Sequence, residues 1–131
     1  MPFVNIKVAG PTLAPEQVQH LQQGATKLMA EVLRKKAELT AVLVEHVSAA
    51  FWTIGGKPVS AAAHLDVKVT EGTNTDEEKN RFVSEAMKLL RSVLGTDLNP
   101  VAYVVIHEVS GDAWGWDGLT QAHRAQVAKA A

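Results

Sequence analysis

The chain has no cysteine. That excludes disulfides, a thiolate nucleophile and any cysteine-held metal. An excess of charge of either sign is also missing. Lys and Arg number 13 against 14 Asp and Glu, for a net charge of -1. With no basic stripe, nucleic acid is not an expected partner. No apolar run approaches the roughly 20 residues of a membrane span. The first residues lack the charged start and apolar stretch of a signal peptide. A cytoplasmic protein without membrane attachment is therefore expected. His20, His64 and His123 show no ligand spacing of the His-x-x-x-His kind, so no metal is assigned.

What is present is enough apolar material for one core. The chain has 131 residues and is 47% hydrophobic, the size of a single domain. It is also written twice, and such self-similarity sets the architecture. Each half runs strand, turn, helix, strand and short Gly-rich segment. The first-half strand is Phe3–Ala9, followed by the turn Gly10-Pro11-Thr12. The second-half strand is His64–Thr70, followed by Glu71-Gly72-Thr73. The halves close on Trp52-Thr53-Ile54-Gly55-Gly56 and Trp114-Gly115-Trp116-Asp117-Gly118. The units span 2–60 and 63–119, with a tail over 120–131 that reads as a short helix or a frayed end.

Alternation defines the early strands. Val4, Ile6 and Val8 share one side, with Asn5 and Lys7 between them, and Leu65, Val67 and Val69 repeat the pattern. The first helix opens at Pro15 with Glu16 beside it, and its apolar stripe is Val18, Leu21, Ala25, Leu28, Met29 and Val32. The second opens on a capping box of Thr75 and Glu78. Its stripe is Phe82, Val83, Ala86, Leu89, Leu90, Val93 and Leu94, and Gly95 ends it. The late strands are Ala41–Val47 and Val101–Val109, the latter apolar enough to suggest burial on both faces. Strands joined through a helix are parallel in the normal case. The expected fold is α+β: two β-α-β units forming a four-stranded sheet with both helices on one face. The other face is expected to be apolar and uncovered, which calls for oligomerisation.

The start Met1-Pro2 carries the chemical possibility. Without Met1, Pro2 is a secondary amine. A chain α-amino group has a pKa of about 7.7–8.0, and burial lowers it. Such a group can act as general base near neutral pH.

These features together resemble the tautomerase superfamily, typified by 4-oxalocrotonate tautomerase. The resemblance rests on Met-Pro before an alternating strand, the Glu-Gly turn before an amphipathic helix, the Gly-rich hairpins and the duplication. It implies the fold shared with macrophage migration inhibitory factor, a fused two-unit chain and a homotrimer. It also implies an isomerase that interconverts keto and enol forms without cofactor, acting on a small carbonyl or enol substrate with Pro2 as catalytic base and acid. The second unit has Ala63 or His64 where its own proline would stand, so one amine per chain is implied.

The family's carboxylate-holding arginines are replaced by Thr12, Thr70 and Thr73 in the turns and by Leu43 and Tyr103 in the strands. Thr and Leu cannot supply the bidentate fork of Arg. The substrate pocket implied by the resemblance is therefore aromatic and nearly uncharged. Tyr103, Trp114 and Trp116 form its wall, and Thr70 and Thr73 lie beside it. Trp114 and Trp116 serve equally well as interface packing, and Trp52 is assigned to packing near Ala63. Arg34-Lys35-Lys36 reads as a solvated helix end, or as a source of cations for a neighbouring chain. His107 and Glu108, adjacent on a strand, cannot share one pocket. Two other outcomes stay open: lyase, dehalogenase or hydratase chemistry through Pro2, and a non-catalytic binding protein of the same fold.

Overall fold

A computed structural model describes residues 2–130. In chain order the elements are β1 (Phe3–Ala9), α1 (Pro15–Glu31), β2 (Ala41–Val47), β3 (Thr53–Ile54), β4 (Lys57–Pro58), β5 (Ala62–Thr70), α2 (Asp76–Leu94), β6 (Tyr103–Val109), β7 (Gly115–Trp116), β8 (Leu119–Thr120) and α3 (Gln121–Ala130). The main sheet has the order β2-β1-β5-β6. β1 runs parallel to β2 and β5 parallel to β6, as each helical crossover requires. The two halves meet where β1 and β5 pair antiparallel, with Ile6 opposite Leu65.

The alternating strands bury one face each. Val4, Ile6 and Val8 of β1, with Leu65, Val67 and Val69 of β5, are enclosed beneath both helices. Leu21, Ala25 and Met29 of α1, with Phe82, Ala86 and Leu90 of α2, complete the core. Burying a side chain of this size contributes about 1.5–3 kcal/mol relative to exposure, so this one layer is the main stabilising term. The start of α2 is held reciprocally. The Thr75 hydroxyl oxygen accepts from Glu78 N–H, and the Glu78 carboxylate accepts from Thr75 N–H at 2.8 Å. Gly95, at φ 77, ends the helix.

Several expectations are corrected. β5 begins at Ala62, two residues early, because the far end of β1 continues the ladder to Ala62. β6 begins at Tyr103, two residues late. Asn99 Oδ1 accepts the Val101 N–H at 2.9 Å and holds the chain in a turn after Pro100. β6 is an outer strand with no fully buried residue, so its apolar run does not mark burial on both faces. Val83 lies off the core stripe and is exposed.

The uncovered sheet face is not uniformly apolar either. At its centre Asp66 is only 8% exposed. His64 Nε2 lies 3.1 Å from its carboxylate, with Lys68 and His107 within 4 Å. Alternation along β5 puts His64, Asp66 and Lys68 on this side.

Candidate active site

Pro2 sits at the head of a central strand and its side chain is fully buried. Its carbonyl accepts the Ala41 N–H at 3.2 Å, which ties it to the start of β2. The register pairs Phe3 with Lys68, so Pro2 reaches the end of β5 beside Thr70. Met1, on whose removal the amine depends, lies outside the described residues.

At this same end of the sheet is a cavity of about 590 Å³. Thr70, Thr73 and Trp116 line it, so three of the sequence-derived site residues come together here. Trp114 is adjacent, and its indole Nε1–H donates to the Thr70 hydroxyl at 3.1 Å. The hairpin β7–β8 sets both tryptophans. Asp117 (φ 48) and Gly118 (φ 80) form its two-residue turn, the conformation that Asp-Gly favours between paired strands. The hairpin is then anchored to α3, whose Gln121 N–H donates to the Trp114 carbonyl at 2.9 Å.

Tyr103 is elsewhere. It pairs with His64 at the opposite end of β5 from Thr70, six residues of strand or roughly 20 Å from the end near Pro2. There it lines a separate cavity of about 250 Å³ with Trp52, Ala63 and Val101. Within one chain Tyr103 and Pro2 are not brought together. His46 is structural, its Nε2 lying 2.9 Å from the Gly10 carbonyl oxygen. His107 and Glu108 point to opposite faces, the latter accepting from Lys79 at 2.9 Å.

The expectation of a nearly uncharged pocket fails. Arg34, Lys35, Lys36 and Arg124 all line the cavity at the Pro2 end, with no carboxylate among its lining residues. Helix α1 stops at Glu31, and Arg34 takes up left-handed backbone (φ 59), which turns the basic cluster toward the start of α2. Arg34 grips Glu78 through two nitrogens and donates to the Thr73 carbonyl at 3.0 Å. Lys35 Nζ donates to the Thr73 hydroxyl at 2.7 Å. Burial, then the neighbouring Arg34 charge, push the Lys35 ammonium below its ordinary value.

Arg124 escaped notice in the sequence. It comes from the tail, where Gln121 and Arg124 share one helical face by their i, i+3 spacing. Its guanidinium carbon lies 3.6 Å from the centre of the Trp116 ring, and Nη2 donates to the Trp116 carbonyl at 3.0 Å. The i, i+3 pair beside an aromatic hairpin was the one available signal.

Among the described residues no group of three or more His, Asp or Glu is placed to hold a metal, and no helix is long and apolar enough to cross a membrane. The arrangement offers a buried proline at the same end of the sheet as a cavity walled by indole, hydroxyl and cationic groups. That is suited to binding a small polar-headed molecule and moving a proton within it.

Comparison with known proteins fits this geometry. The family described as Tautomerase enzyme matches twice, over residues 2–62 and 64–124. A Dickeya dadantii (strain 3937) protein named Probable tautomerase K2 is 37% identical over 60 residues, covering 46% of this chain and 90% of its own. A Helicobacter pylori (strain ATCC 700392 / 26695) protein named Probable tautomerase is 38% identical over 63 residues, covering 45% and 90%. Among solved structures, Pt0534 inactivated by 2-oxo-3-pentynoate superposes with a TM-score of 0.83 at 15% identity, over 93% of this chain and 98% of that one. A symmetric trimer of a fused 4-OT superposes at 0.80 and 17% identity, over 92% and 96%. These structural likenesses carry the fold, and the twofold family match carries the membership. The chain belongs to the tautomerase family, as a fused member with two β-α-β units.

Proposed function

We propose that this protein is a cofactor-independent tautomerase that interconverts the enol and keto forms of a 2-oxo acid or aryl enol, with Pro2 as base and acid. The supporting observation is the placement of Pro2, fully buried at the head of β1 and at the same end of the sheet as the cavity that gathers Thr70, Thr73 and Trp116, although Pro2 is not itself among the lining residues. Once Met1 is removed, the amine lies against apolar core. Burial disfavours its protonated form, so it is free to accept a proton near neutral pH. In ketonisation it takes the enol hydroxyl proton as the C=O bond forms. The C=C electron pair then collects that proton from the prolinium at carbon, and the amine is regenerated. Proton transfer of this kind is worth roughly 10²–10⁴-fold.

The inactivator in the Pt0534 structure, 2-oxo-3-pentynoate, is a 2-oxo acid, which supports that substrate class here. The fused 4-OT neighbours are trimers, and we extend that assembly to this chain. Tyr103 is remote from its own Pro2 and reaches a Pro2 site only across such an interface.

Pro2→Ala is expected to lower phenylenolpyruvate ketonisation by at least about 10²-fold, with the parent's intact mass lacking Met1. Full activity in Pro2→Ala, or Met1 retained in an active protein, rules the reading out.

A further inference from the structure

The end of the sheet opposite Pro2 has a cavity of its own. Ala63 and His64, which stand where a second proline would, both line it. Trp52 and Ile54 reach it from the hairpin region of the first half, and Val101 and Tyr103 from the entry to β6. It is thus the second half's counterpart of the Pro2 end. The nitrogen of Ala63 is an ordinary chain amide, so no amine is present here to move a proton.

The lining differs from that of the Pro2 end. No Lys, Arg, Asp or Glu is among its described lining residues. Tyr103 and Val101 are exposed, and Trp52 is half-buried. Apolar surface of this kind favours an occupant that takes it out of water. The volume is about 250 Å³. That exceeds the ~150 Å³ of a cavity known to hold one benzene and is below the range of drug-sized ligands. One substituted ring fits. A flat ring also suits walls of indole and phenol, because aromatic pairs gain more than burial alone.

His64 adds a directional group. Its Nε2 lies 3.1 Å from the Asp66 carboxylate. A carboxylate only accepts, so Nε2 carries the proton. In the neutral ring, Nδ1 is then the acceptor that His64 can offer to a ligand.

We propose that this cavity is a second binding site, which takes a neutral aromatic ring bearing a hydroxyl group, a phenol. Trp52, Val101 and Tyr103 receive the ring, and His64 accepts from its hydroxyl. The site binds without turnover. It does not rest on the tautomerase reading, and Pro2 has no part in it.

The probe is 4-methylphenol, titrated into the full chain while amide and indole N–H resonances are followed by NMR. Saturable shifts are expected at the Trp52 indole and the Val101 amide, with a Kd of millimolar order. Anisole, the isomer without a hydroxyl proton, is expected to bind roughly 3–10-fold more weakly, the worth of one hydrogen bond. Benzoate, of similar size but charged, is expected to leave these resonances unmoved. Tyr103→Ala, at an exposed position, is expected to weaken 4-methylphenol binding by roughly 3–10-fold. Pro2→Ala is expected to bind it like the parent, whether or not turnover is lost. No saturable shift at Trp52, shifts confined to Trp114 and Trp116, or equal binding of anisole or benzoate overturns the proposal. Unchanged affinity in Tyr103→Ala overturns it too. So does binding seen only in a dissociated Phe51→Asp variant, which would mean that a second copy fills the cavity in the assembled protein.

Discussion

Glu78 shows how one side chain serves several neighbours at once. Its carboxylate accepts from Arg34, from Asn74 Nδ2 at 3.2 Å and from the Thr75 N–H. The Arg34 hydrogen bond first, then that of Thr75, hold its pKa down at about 2. The folded value is below the unfolded one, roughly 4.3. The stabilisation is therefore fully present above the unfolded value and is lost as pH falls through about 2. Glu78→Gln is expected to be less stable than the parent at neutral pH and to lose less of its urea midpoint on acidification over that window. Parallel acid profiles for the two proteins would contradict this. The same residue matters to the cavity, since Arg34 bound to Glu78 also reaches the Thr73 carbonyl. Weakening the pair is expected to loosen the Thr73 turn on which Lys35 rests.

At the scale of elements, the hairpin β7–β8 is the most constrained piece of the working end. A Cβ at Gly115 would overlap the Leu119 carbonyl oxygen and lie 2.7 Å from Thr120 Cα, both of them backbone. Nothing there can give way without opening the hairpin. Gly115→Ala is expected to cost on the order of 1–3 kcal/mol and to alter the near-ultraviolet circular dichroism of Trp114 and Trp116. An unchanged aromatic spectrum would show that the hairpin absorbs the methyl group.

The hairpins were legible beforehand because Gly55-Gly56 and Asp117-Gly118 are turn residues with a mechanism. The two large helices were legible from their stripes, and Thr75 with Glu78 marked a boundary that the structure keeps. The edge position of β6 was not legible. An apolar run such as Val104-Val105-Ile106 reports hydrophobicity, not whether another strand lies beside it. Nor was the charge of the cavity. Arg34, Lys35 and Arg124 meet through a left-handed turn and a helix docked on Trp116, and neither has a local signature. The position of Tyr103 relative to Pro2 depended on the antiparallel pairing of β1 with β5, which only the tertiary fold decides.

For the whole molecule, the outer edges of the sheet and a few large side chains face solvent. Phe51 is 86% exposed and Tyr103 68% exposed, with Val101 also open. The polar cluster around Asp66 occupies the centre of the uncovered sheet face. The case for assembly therefore rests on these apolar margins and on the unpaired edges of β2 and β6, rather than on a uniformly apolar sheet. In the proposed trimer, Phe51→Asp is expected to place an unpaired charge in a contact, at a cost of several kcal/mol. Sedimentation should then show dissociation toward monomer at micromolar concentration, with activity falling in step. A variant that sediments as the parent does would place Phe51 outside the contacts.

The antiparallel meeting of β1 and β5 has a consequence for what the repeat has become. Pro2 belongs to the first half, whereas Thr70, Thr73, Trp116 and Arg124 belong to the second. Either half, cut free, would hold only a fragment of the working end. The duplication is no longer a spare copy. Each half now completes the other, and the chain cannot be shortened to one unit without losing the place where both converge.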